Sequence, residues 1–155
     1  MLEFIEQIEF DSKNYIQMFQ ALETKFPKLD SNSRRELIRE LATQIALEDE
    51  VLQFRLRKIL REENPYLPAI RTEQIVNNQL LNMEDFSRLK IAFLSLRREL
   101  LDLLNNLPVE AWDRTGVHEL EGHVPLKEFV RRLAEKSNRC LHHIQEELDL
   151  ALENN

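Results

Sequence analysis

Four stretches of this chain carry apolar residues at alternating steps of three and four, and little between them favours any other periodicity. In the first, Ile5, Ile8, Ser12, Tyr15, Phe19, Leu22 and Phe26 share one stripe, the spacing of residues on a single helix face. Pro27 and the Leu29–Ser33 stretch end it. Ser33 with Glu36 forms a capping-box pattern, in which hydroxyl and carboxylate satisfy orphan backbone donors. That pattern predicts a second helix running to about Arg61, striped by Ile38, Leu41, Ile45, Leu52, Leu56 and Ile59. Asn64-Pro65 and Pro68 break the chain. A short helix is expected over residues 72–80, and Asn82 is the expected cap of a third long helix. That helix carries Phe86, Leu89, Phe93, Leu96, Leu100 and Leu103. The fourth begins near Pro125, a residue suited to a first helical turn, and shows Val130, Leu133, Ser137, Cys140, Ile144 and Leu148. None of the four can bury its apolar face alone. The expected fold is all-α: one domain over residues 1–155, a four-helix bundle with long crossover connections.

Composition narrows the classes. Only two glycines, Gly116 and Gly122, and a charged fraction of 32% suit long solvated helices. No apolar run approaches the roughly 18 residues of a membrane span, so no membrane partner is expected. The N-terminus lacks the basic and apolar regions of a secretory signal. A lone cysteine, Cys140, cannot form an intrachain disulfide, which points to a reducing, cytoplasmic setting. A net charge of −7 argues against nucleic acid, whose binders carry a basic face. Arg34, Arg35 and Arg39, and Arg55, Arg57, Lys58 and Arg61, are locally basic but surrounded by acids, and read as a mixed solvated helix face.

The last third carries a recognisable run: Leu107-Pro108, then Trp112 and Arg114, His118, Gly122, and a helix through Cys140, Leu141 and Ile144. Together with Phe93, Arg97, Leu100, Leu101 and Leu104 on the third helix, it resembles the DinB/YfiT-like family of four-helix bundles. In many members three histidines hold a divalent metal such as nickel or zinc. One lies on the second helix, five residues before an acid; two lie four apart on the last. Here Thr43 with Glu48 falls on the first pattern, or Gln44 if the register shifts by one. Lys136 and Cys140 fall where the other two histidines belong. The resemblance thus implies a vacated site lined by Thr43, Gln44, Glu48, Lys136 and Cys140, with Trp112 and His118 as secondary candidates. No metal or other cofactor is expected. A protonated lysine has no lone pair for a metal, and a threonine hydroxyl is a poor neutral ligand.

The remaining chemistry has two readings at each point. Glu48 interrupts an apolar stripe, where a carboxylate needs a partner; either it pairs with Lys136 across the bundle, or it reaches solvent at one end. Cys140 is a small buried hydrophobe or a nucleophile assisted by Lys136 one turn away. His142 and His143 are adjacent and point about 100° apart on a helix, so they cannot share a metal. His118 and His123 are loop residues beside Glu119 and Glu121; either such a histidine takes a metal with those acids, or it is a bland imidazole, for His118 a structural, hydrogen-bonded loop residue. Trp112 is expected to plug one end, with Gly116 and Gly122 at tight turns. The segment Pro65–Pro68 lines a pocket mouth or packs the crossover. Two functions follow: a non-metal binding module, self-associating as a homodimer or taking an unidentified small molecule, or a divergent metal-dependent thiol S-transferase using nickel or zinc.

Overall fold

The computed structural model describes residues 2–69 and 86–153. The helix expected over residues 72–80 and the Asn82 cap lie outside them. Helix α1 (Leu2–Lys25) ends in a 3₁₀ turn at Phe26–Lys28, where Pro27 removes a backbone donor. Helix α2 (Ser31–Asp49) starts earlier than the capping-box reading implied. Asp30 takes the cap position with extended backbone, and its carboxylate accepts from the Ser33 amide at 2.8 Å. Ser33 is therefore the third helical residue, and the cap is an aspartate, among the favoured N-caps.

The second helix does run to Arg61, but not as an unbroken α-helix. Residues Glu50–Leu56 widen into a π-helix before α3 (Arg57–Arg61), and the Arg57 amide bonds to the Leu52 carbonyl, five residues back. An apolar stripe carries no mark of such a turn. Helix α4 (Phe86–Asn105) and helix α5 (Leu126–Glu153, just after Pro125) match the third and fourth stripes.

The chain is mostly helical, with a small sheet added. The segment expected as loop forms β2 (Thr115–His118) and β3 (Gly122–Pro125), an antiparallel hairpin. Strand β1 (Tyr66–Leu67) pairs in parallel with β2, opposing Tyr66 to Val117 and Leu67 to His118. Gly122 has φ +75° at the hairpin turn, a conformation glycine adopts without steric cost. Gly116, by contrast, is in mid-strand, where it lets β2 press against Leu67 and Ile59. Arg114 ties the hairpin to α3: its Nε donates to the Ile59 carbonyl at 3.1 Å and its Nη2 to the Glu62 carbonyl at 3.0 Å. Those carbonyls close a helix end and lack intrahelical donors.

Helix α1 packs on α4 and α5, and α2 packs on the same two. Their buried side chains form two apolar clusters. One holds Tyr15, Phe19, Leu41, Phe93 and Leu141; the other holds Ile8, Leu52, Leu100, Trp112 and Phe129. Among the described residues, no helix is long and apolar enough to cross a membrane.

Candidate functional site

Between the two apolar clusters lies a layer of polar side chains, one or more from each long helix. Ser12 of α1, Gln44 and Glu48 of α2, Arg97 of α4 and Ser137 of α5 are all buried, Glu48 at 1% and Arg97 at 2% exposure. Charges so deep require partners. Arg97 finds them for each of its five N–H groups. Its Nε donates to Glu48 Oε2 at 3.4 Å and its Nη2 to Glu48 Oε1, a fork-to-fork pair. Nη2 also donates to Ser137 Oγ at 2.6 Å. Nη1 donates to the Ile8 carbonyl at 3.3 Å and to Ser12 Oγ at 3.2 Å. Gln44 Nε2 completes the carboxylate shell at 3.1 Å from Glu48 Oε1. The guanidinium also faces the rings of Phe93 and Tyr15, 5.0 and 5.5 Å from their centroids, where a cation is attracted by ring quadrupoles.

Tyr15 closes the layer on one side. Its hydroxyl donates to the Ser137 carbonyl at 2.7 Å, and burial raises its pKa far above the usual phenol range. Cys140 lies beside it, part-buried, and burial pushes its thiol up to about 12. A thiol held that high is a poor nucleophile and keeps its proton near neutral pH. In the folded protein at pH 8, Cys140 is expected to react with iodoacetamide roughly a thousandfold slower than in the urea-unfolded chain, and alkylation rates measured in parallel check this. Because the folded thiol resists ionisation, the fold loses stability as pH climbs from the free-thiol value toward about 12.

The structure brings Gln44, Glu48 and Cys140 to the interior and leaves Thr43 and Lys136 exposed. Thr43 turns its hydroxyl back to the Arg39 carbonyl at 2.8 Å. The expected Glu48–Lys136 pair is replaced by Glu48–Arg97, because Ser137 is the α5 residue that faces inward. Trp112 is buried in the second apolar cluster. His118 is buried in β2 at the hairpin end, where its Nδ1 accepts the amides of Leu120 (3.2 Å) and Glu121 (3.4 Å). His142 and His143 are exposed on α5, and His143 pairs with Glu40 at 3.0 Å and Glu147 at 3.2 Å.

The stripes held a signal for this layer. Ser12 and Ser137 stand among apolar residues on their own helices, as Glu48 does. Arg97 occupies the core position between Phe93 and Leu100 to which periodicity assigned Leu96. Four polar residues at core positions, one per helix, ask to be joined; the cation to join them is Arg97.

These residues do not fit a divalent metal. Both oxygens of Glu48 are held by a guanidinium cation, Gln44 spends its amide on the same carboxylate, and the Cys140 thiol is held protonated. Among the described residues, no group of three or more His, Cys, Asp or Glu side chains could hold a metal ion. No family model, curated protein or solved structure matches this chain.

Proposed function

We propose that this chain is a DinB-like four-helix bundle in which an arginine–glutamate pair stands where relatives of that type keep a metal. In this reading it is a cytoplasmic binding or self-association module rather than an enzyme. The observation that carries it is the closed shell of Arg97. All five of its donors are matched, and its main acceptor is the carboxylate that a metal would otherwise recruit. Such a layer fixes which helix faces meet, as buried polar groups do in some bundles, and offers no open coordination position or activated nucleophile. Partners are then proteins, a second copy first, or a small molecule, rather than nucleic acid, given the net charge of −7. Phe10 and Ile16 on α1 and Ile91 on α4 stand exposed and supply apolar surface for self-association.

The test is metal content of untagged protein purified without chelator, followed by titration with nickel and zinc. The reading expects no stoichiometric binding at micromolar metal. One tightly held ion per chain would overturn it and put the metal-dependent thiol S-transferase first.

A further inference from the structure

The widened turn of the second helix holds a charge pair of its own. Glu50 is 2% exposed, and its Oε1 accepts from Arg55 Nη2 at 2.6 Å. The two are five residues apart. In a π-helix, whose backbone bonds run from i to i+5, such residues are neighbours about one turn apart, whereas in an α-helix they diverge by about 140°. The pair is therefore favoured by the π register over the α register.

The apolar stripe does not demand that register. Leu41, Ile45, Glu48, Leu52, Leu56 and Ile59 step by threes and fours, and would line one face of an uninterrupted α-helix. In that helix residue 50 would lie about 200° around the axis from Glu48, toward solvent. The π register also leaves polar atoms wanting: Glu50 Oε2 and the Nε atoms of Arg55 and Arg57 are buried with no hydrogen-bond partner among the described residues. Buried polar groups cost free energy where no partner reaches them. Burial pushes the Glu50 carboxyl up, and the cations Arg55 on its own segment and Lys136 of α5 oppose that shift. The guanidinium of Arg55 is in turn seated over the Phe129 ring of α5, 4.9 Å from its centroid.

We propose that the Glu50–Arg55 pair is a latch holding residues 50–56 in a π register against an α register of the same helix. Its release reaches the sheet, because α3 is bonded there directly. Arg114 holds the Ile59 and Glu62 carbonyls, and Lys58 Nζ donates to the Tyr66 carbonyl at 3.1 Å. Turning α3 beneath those bonds shifts the hairpin, whose strand β2 ends at His118.

Couplings across hydrogen bonds, measured by NMR, test the latch. In the native chain the Arg57 amide couples to the Leu52 carbonyl. In Glu50→Gln it is expected to couple to Gln53, four residues back, with altered shifts for Thr115–His118. Glu50→Leu with Arg55→Met removes both charges together, leaves neither buried alone, and is expected to show the same change. This double variant decides the matter if the single variant does not fold. A folded double variant that keeps the Arg57–Leu52 coupling overturns the proposal, as does a native chain coupled to Gln53.

Discussion

Replacing Arg97 with alanine is expected to cost about 3–5 kcal/mol of unfolding free energy, the usual range for stranding one partner of a buried ion pair. The change removes all five donors at once and leaves Glu48, 1% exposed, facing an apolar interior with only the amide of Gln44. A domain of this size holds about 5–15 kcal/mol in total, so the loss is a large share of its stability. The effect is specific to stranding a charge. With Glu48→Leu and Arg97→Met combined, no charge remains in the layer, and the double variant should be far more stable than Arg97→Ala. Denaturant midpoints at constant slope measure both. A loss below about 1 kcal/mol for Arg97→Ala, the scale of an exposed pair, would mean that the guanidinium reaches water.

The second large effect is expected at Gly116. A Cβ there would lie 2.4 Å from Leu67 Cδ1, 2.9 Å from Leu67 Cγ and 3.2 Å from Ile59 Cγ1. Leu67 and Ile59 are buried members of the second apolar cluster, so relieving the clash means repacking their neighbours. Gly116→Ala should therefore destabilise by about 1–3 kcal/mol, the range for overpacking a filled core. The clash sits where β1, β2 and α3 meet, so the same variant should lower amide protection of Val117 and Glu119, which donate to the Pro65 carbonyl at 2.7 Å and the Leu67 carbonyl at 3.0 Å. Hydrogen exchange at those two amides, beside a thermal melt, separates this from a general loosening. Unchanged stability and protection would show that β2 does not press on Leu67.

The long helices were legible because a stripe of period near 3.6 records which face is buried. Ile5, Ile8, Tyr15 and Phe19 on α1, like Leu133, Ile144 and Leu148 on α5, are as buried as their spacing implies. What the stripes could not carry was pairing. Glu48 announced that it needed a partner, but helix faces do not say which cation arrives, and a shift of one residue on α5 exchanges exposed Lys136 for buried Ser137. The same one-residue resolution separates Thr43 from Gln44 and Leu96 from Arg97. The hairpin was missed because four-residue strands are too short to show alternation, and because its strength lies in Arg114 bonds to carbonyls far away in sequence. The π segment was missed for a different reason. It is held by a five-residue spacing, Glu50 to Arg55, that neither helical nor strand periodicity tests.

The account rests on Glu48 and Arg97 meeting in the buried layer, and a double-mutant cycle with Glu48→Leu, Arg97→Met and the combined variant measures that contact directly. A coupling energy of at least about 2 kcal/mol is expected, toward the upper end for groups in one buried network. Single effects that add to within about 0.5 kcal/mol, as for sites that do not touch, would contradict the pair and with it the closed polar layer.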